Sequence, residues 1–289
     1  MSKLATTVRK KHYLSQAILA FFALIWLIPT FGAFVTSFRT QDATLQTGWW
    51  QVLLHPFSQE WTLNNYYTAL TQDQMASGLT ASFAITLPAM VLPIIIAAFT
   101  AYSFTFFHFR GKEILFGLMI AFMIVPIQAA LIPSINLLVW LGDKTGLSII
   151  GNYPAGWIAH TAFAIPFATY MMRNYMTGLP IELIEAAKID GASHYRIFWR
   201  IVCPMSIPLL ASYAIFQFMW VWNDYLIAYL YVGPEHPVLT YKLLNLIGVY
   251  NSGWQNVIAG SFITLFFPFL VFVSLQRFMI RGMTAGAVK

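Results

Sequence analysis

Glu182, Glu185 and Asp190 crowd into nine consecutive residues, and Asp224 stands alone within an apolar run, in a chain only 9% charged. Carboxylates so placed have three chemical uses: proton transfer, metal ligation, or pairing with cations and backbone donors. The surrounding residues restrict the choice. The six histidines (His12, His55, His108, His160, His194, His236) include no pair at i, i+3 or i+4, the spacing that sets two ligands on one helix face. Cys203 is the single cysteine, so an intrachain disulfide is impossible. Gly111-Lys112-Glu113 lacks the upstream glycine spacing and the hydroxyl of a phosphate-binding loop. No convergent catalytic constellation appears, which leaves pairing and capping.

The clustered acids lie in a segment that reads as two short helices around a tight turn, from Gly178 to Pro204. Pro180 suits a helix's first turn, and Glu182 and Glu185 fall early, where the helix dipole favours anions. Leu183, Ala186, Ala187 and Ile189 continue that helix, and Gly191 ends it in a left-handed conformation. Ser193 then caps a second helix through Ile197, Phe198, Ile201 and Val202, which Pro204 stops. The small Ala186/Ala187 pair permits close approach of another protein, so the segment reads as a docking helix.

The elements that must carry these residues are membrane spans. Hydrophobic residues make up 59% of the 289 and aromatics 17%, with mean hydropathy +0.68, well outside the range of soluble domains. A soluble enzyme, a disordered tail and a disulfide scaffold are excluded. Six stretches are long enough to cross a bilayer: Leu14–Phe38, Leu79–Phe107, Ile114–Trp140, Pro154–Met176, Ser206–Val232 and Asn256–Met279. The first follows Lys3, Arg9, Lys10 and Lys11 but is too long for a signal core, so it reads as a retained anchor, 14–38. With the N-terminus inside, only Arg39, Lys144 and Lys242 of the 16 basic residues fall outside the cell, a clear positive-inside pattern. The net charge of +6 is then a topological signal and not a nucleic-acid footprint. The expected fold is all-α, with six transmembrane helices, both termini cytosolic and a cytosolic coupling helix between spans four and five. Pro88, Pro93, Pro126, Pro133, Pro166 and Pro268 each remove a helix hydrogen bond within these spans, either as kinks around a pathway or as ordinary membrane-helix usage.

Glu185-Ala-Ala-x-x-Asp190-Gly-Ala, with Phe198 and Pro204, resembles the EAA loop by which ABC importer permeases couple to their ATPase. Trp220, Trp222, Asn223, Asp224 and Tyr225 resemble a tryptophan–asparagine motif in span five of sugar-importer permeases. The tail from Gln276-Arg277-Phe278 through Arg281 to Lys289 looks like that of the second, maltose-type permease subunit, where it reaches the ATPase interface. Trp61-Thr-Leu-Asn-Asn-Tyr66 is similar to an external stretch of the same group. The resemblance spans nearly the whole chain and implies one permease domain over 1–289, with core spans 79–279, in the bacterial inner membrane.

It further implies a non-catalytic subunit paired with a second permease, two cytosolic ATPases that hold ATP and Mg, and an external solute-binding protein. The chain itself binds no metal or cofactor. Glu185, Ala186, Ala187, Asp190, Gly191, Ala192, Phe198 and Pro204 would form the ATPase contact, with Ala186, Ala187, Ile189 and Phe198 supplying most of the packing. The substrate would be a carbohydrate, an oligosaccharide or α-glucoside such as maltose or trehalose. A glycerol-phosphate or polyol within the same family is the alternative. Gly48-Trp-Trp and Val238–Asn251 match no single substrate, and the loop over Pro234–Ser252 corresponds by position to one that enters the binding protein's cleft. A stand-alone secondary transporter would need several intramembrane charges and inverted repeats; Asp224 is the one intramembrane acid and no repeat is evident. Asp224 lies about 18 residues, or about 27 Å, into its span, so pathway lining and an interfacial cap both remain open. The aromatics beside it would stack on sugar rings or form the interfacial belt; His160 and Asn136 have no assigned role.

Overall fold

The computed structural model describes the backbone of residues 2–249 and 253–285 and the side chains of residues 13–247 and 253–277. The last four residues of the tail, expected at an ATPase interface, lie outside the described residues, as do Asn251 and its neighbours in the loop before the final helix. Among the described residues regular structure is helical and no strand forms; Arg39 and Trp61 make an isolated antiparallel bridge. The helices are α1 (Ser2–Ser37), α2 (Gln41–Gln46), α3 (Gln51–Leu54), α4 (Asn64–Thr71), α5 (Met75–Phe106), α6 (Lys112–Phe122) and α7 (Ile127–Thr145). They continue with α8 (Tyr153–Met176), α9 (Ile181–Ile189), α10 (His194–Ile197), α11 (Cys203–Asn223), α12 (Leu239–Val249) and α13 (Trp254–Ala285).

Among the described residues, four helical stretches are long and apolar enough to cross a membrane: Tyr13–Ser37, Met75–Phe106, His194–Asn223 and Trp254–Arg277. The stretch expected as a continuous third span over Ile114–Trp140 is instead two helices, α6 and α7, bent by 106° at a short break. Pro126 explains the break. It lacks an N–H, forces Val125 out of the helical region and becomes the N-cap of α7. The expected fourth span forms a single helix, α8, although it is less apolar than the others. The reason is burial: Gly156, Ala159, His160, Thr161, Thr169 and Met172 are enclosed by protein, so α8 presents few side chains that lipid would have to solvate.

The chain divides into two compact units, residues 1–75 with 243–263 and residues 76–242 with 264–289. Within the first, polar side chains hold the segment after α1. Asn65 Nδ2 donates to the carbonyls of Ser37 (2.8 Å) and Arg39 (2.9 Å), and the Tyr66 hydroxyl meets Ser37 Oγ at 2.7 Å. The buried Arg39 guanidinium donates to the carbonyls of Ala43 (2.8 Å) and Thr47 (2.9 Å) and to the Thr47 hydroxyl. Burial lowers the Arg39 pKa, yet these carbonyl acceptors suit a guanidinium that stays charged.

The second unit is organised around proline. A proline cannot donate to the carbonyl four residues earlier, and an uncapped carbonyl in lipid costs several kcal/mol by order of magnitude. Pro88 frees the carbonyl of Ala84, and Trp157 Nε1 of α8 donates to it at 2.8 Å. Pro93 frees Ala89, which accepts from Gln217 Nε2 of α11 at 3.1 Å. Pro268 frees Thr264, which accepts from Trp222 Nε1 at 3.0 Å. These three prolines thus create acceptors that neighbouring helices fill.

Trp157→Phe removes one such donor while keeping the ring. We expect it to lower the unfolding free energy in detergent by about 1–3 kcal/mol. In a Pro88→Ala background, where residue 88 supplies its own N–H, the same change should cost distinctly less. An equal cost in both backgrounds contradicts the capping role.

Candidate functional site

The acid-rich segment folds largely as its residues dictate. α9 runs from Ile181 to Ile189 with Pro180 as its N-cap, and Asp190 ends it. Gly191 takes φ +78°, the left-handed turn, with open space around it. Ser193 Oγ accepts from Arg196 N–H at 3.4 Å as the cap of α10. The helix does not stop at Pro204, however. A π-helical turn over Phe198–Val202, closed by Cys203 N–H to the Phe198 carbonyl, carries α10 into α11. The wider turn sets Pro204 in the first turn of α11, where its missing N–H costs little. The second half of the acid-rich segment and the start of the stretch expected as the fifth span are therefore one helical stretch, His194–Asn223.

This segment has a buried and an exposed side. Ile184, Ile197, Phe198 and Val202 join Ala97, Ala101, Tyr102, Met172, Met176 and Tyr213 in one core cluster, with Ala187 and Ala192 packed on it. Phe198 stacks on Phe99 at 4.5 Å and meets Tyr102 edge-on at 5.3 Å. The Tyr102 hydroxyl lies 2.9 Å from His194 Nδ1. Phe198, expected among the docking contacts, is an internal anchor: it is 3% exposed. Glu182, Glu185, Ala186, Lys188, Asp190 and Gly191 are exposed, and Ile189 stands 86% exposed at the end of α9.

The five residues of the aromatic motif separate. Trp222 is 2% exposed, stacked on Phe218 at 5.3 Å and edge-on to Phe83 at 4.9 Å, so it belongs to the core. Asn223 turns back on its own helix, donating to the Met219 carbonyl at 2.7 Å. Tyr225 stacks on Tyr229 and Tyr241. Asp224 ends α11 and begins the next helical turn, its Oδ2 accepting from Ile227 N–H (2.7 Å) and Ala228 N–H (3.3 Å). The expected span over Ser206–Val232 is therefore interrupted there. His160 of α8 brings Nε2 to 3.9 Å from the same oxygen, and Ser82 and Thr86 line the small void beside them together with apolar side chains. Nothing local to His160 in the sequence signals a partner 64 residues away.

Trp220 alone of the five lines a cavity of about 550 Å³. Phe122, Met123 and Val125 at the broken α6–α7 pair, Phe163 and Phe167 of α8, and Tyr213 and Gln217 of α11 form its walls, with His160. The cavity is apolar with few polar groups, the usual make-up of a small-molecule site. A second, polar cavity of about 490 Å³ lies in the segment after α1, lined by Asp42, Gln46, Gln51, His55, Gln59 and Glu60 among others.

A family profile described as binding-protein-dependent transport system inner membrane component matches residues 89–284, from α5 through α13. The chain belongs to this family. The osmoprotective compounds uptake permease protein GgtD of Synechocystis sp. is 42% identical over 270 residues, covering 92% of this chain and 89% of GgtD. The alpha-glucoside transport system permease protein AglG of Rhizobium meliloti is 42% identical over 230 residues, 79% of this chain and 60% of AglG. Among solved structures, a bacterial ABC transporter involved in the import of the acidic polysaccharide alginate superposes with TM-score 0.74 at 22% identity. That likeness covers 94% of this chain and 96% of the other and establishes the ABC permease fold. The family places the chain in the bacterial inner membrane as a transporter subunit.

Gly191→Ala should destabilise the purified subunit by about 1–2 kcal/mol through left-handed strain alone, since no atom blocks the added methyl. Asp224→Ala should cost about 0.5–2 kcal/mol as a lost cap. Unfolding in detergent checks both; wild-type stability in either variant contradicts the reading.

Proposed function

We propose that this chain forms half of the translocation pathway of an ATP-driven importer for sugars or oligosaccharides. It couples to a separate ATPase through the Glu185–Pro204 segment. The observation that carries the reading is the two-sided burial of α9: Ile184 is 1% exposed and Ile189 is 86% exposed. An isoleucine presented to water on a rigid helix end, flanked by the small Ala186, is apolar surface awaiting a partner. Single exposed ion pairs contribute about 0–1 kcal/mol, so Glu185 and Asp190 set register while Ile189, Leu183 and Ala186 contribute the packing.

The six-span topology rests on the four long helices, the broken α6–α7 pair and α8, with both termini on the cytosolic side and one permease domain over 1–289. The basic residues support that orientation: Lys188 lies in α9, Arg196 in α10, Arg200 in the π-helical turn, Arg110 in the α5–α6 turn and Lys112 at the start of α6. On this topology the segment after α1 and the stretch from Pro234 into α12 face outward, toward a solute-binding protein. A second permease subunit and two ATPases, which hold ATP and Mg, complete the assembly. Nucleotide closes the ATPases, the docking segment follows, and the equilibrium between inward-open and outward-open pathways shifts; this chain biases a conformation and breaks no bond.

AglG's name supports α-glucosides such as maltose or trehalose as the substrate class. GgtD's name favours a second reading within the same importer class, uptake of osmoprotective compounds.

Ile189→Asp places a charge at the exposed end of α9 without touching the buried side. In reconstituted vesicles we expect uptake to fall at least tenfold, with the purified subunit's own stability unchanged. Unaltered uptake and unaltered ATPase co-purification would remove the docking assignment.

A further inference from the structure

The chain that leaves α1 doubles back onto it at Trp49. A Cβ added at Gly32 would lie 2.6 Å from Trp49 Nε1 and 2.7 Å from Cε2, so the indole fills space that only glycine leaves open. Trp49 also meets the Phe31 ring edge-on at 6.0 Å. Phe31 and Gly32 both belong to the apolar stretch Tyr13–Ser37. At 1.5 Å per residue that stretch is about 37 Å long, and Gly32 falls about 7 Å before its end, close to the edge of a hydrocarbon layer about 30 Å thick. From this seat the chain runs on without charge: between Asp42 and Glu60 it has no lysine, arginine, aspartate or glutamate. Trp50, Leu53 and Leu54, at i, i+3 and i+4, are each more than half exposed, and Phe57 is fully so. Gln51 and His55, on the other side of the short α3, line the polar cavity of about 490 Å³. The segment therefore has two faces, one of tryptophan, leucine and phenylalanine and one of amide and imidazole.

We propose that Trp49–Phe57 is an interfacial membrane anchor, with Trp50, Leu53, Leu54 and Phe57 held in the outer leaflet where headgroups meet acyl chains. The inference rests on the reading of α1 as a membrane span with its N-terminus inside. Two observations favour lipid over a protein as the occupant of the apolar face. The patch begins level with the last turns of the span, at Gly32, and not beyond its end. It is also continuous with Ile28, Phe31 and Phe34 of α1, each about half exposed, which the bilayer covers if α1 crosses it. Indoles at the headgroup level with leucine and phenylalanine beside them are the usual make-up of a lipid-facing interfacial helix. Here the polar face carries amides where such helices commonly carry lysine, so apolar burial and not charge attraction holds the contact. An anchored α3 turns the polar cavity away from the lipid and fixes it at the membrane surface.

The test attaches the fluorophore NBD to single cysteines of the assembled importer, in a background with Cys203→Ser, in phosphatidylcholine nanodiscs without the solute-binding protein. Labels at Leu53→Cys and Phe57→Cys should be quenched about twofold by phosphatidylcholine with a doxyl group at carbon 5 of its acyl chain, the shallow depth that an interfacial helix reaches. A label at Gln46→Cys, on the cavity side, should not be quenched. A label at Ile28→Cys, deep in α1, should be quenched by the 12-doxyl lipid. Quenching at position 28 without quenching at 53 and 57 overturns the anchor and leaves the span reading standing. Equal quenching at 46, 53 and 57 overturns the two-faced arrangement. Emission at 53 and 57 that leaves water only when the solute-binding protein is added gives the patch to that protein and also overturns the anchor. No quenching at 28, 53 or 57 removes the span reading together with the anchor.

Discussion

Proline in a membrane helix leaves a carbonyl without its donor, and much of the second unit follows from where replacement donors come from. Trp157, Gln217 and Trp222 reach across to Ala84, Ala89 and Thr264, so positions that would weaken isolated helices become the points at which helices are tied. Such ties are directional in a way that apolar packing is not. Lipid tails are as apolar as leucine, so hydrophobic burial alone does not select one helix arrangement over another. Capped carbonyls do. Pro126 shows the alternative outcome, in which the helix breaks and turns by 106°.

The same framework supports the α9–α10 segment. Phe198 stacks on Phe99, and Ile184 and Ile197 sit in the cluster formed by α5, α8 and α11. Burial of side chains of this size contributes about 1.5–3 kcal/mol each, far more than the surface ion pairs along α9. The π-helical turn over Phe198–Val202 then fuses the segment to α11 without a flexible joint. Under the proposed coupling role, movement imposed on the exposed end of α9 would pass into the helical stretch whose other end carries Asp224 and, one turn earlier, the cavity residue Trp220.

Much of this was legible from local rules. Charge asymmetry, span length, Gly191 as a left-handed turn and Ser193 as a cap each depend on a few adjacent residues. What the sequence left open depends on distant neighbours. Pro204 reads as a stop because proline usually is one, and only the π turn before it, stabilised by packing of Phe198, lets the helix continue. Trp222 and Trp220 are indistinguishable by type and adjacency, yet two positions on a helix are about 200° apart, which sends one into the core and the other to the cavity. His160 has no local mark of its encounter with Asp224. The donors for proline-freed carbonyls are likewise invisible until the helices are placed.

The central claim is that α9 presents one face to an ATPase while its other face is locked into the membrane helices. Maleimide labelling of single cysteines at 184 and 189, in a background with Cys203→Ser, addresses it most directly. Ile189→Cys should react rapidly in the permease alone and at least tenfold more slowly once the ATPases are bound, whereas Ile184→Cys should react slowly in both states. A rate at position 189 that ATPase assembly leaves unchanged, or rapid reaction at position 184, would contradict the account.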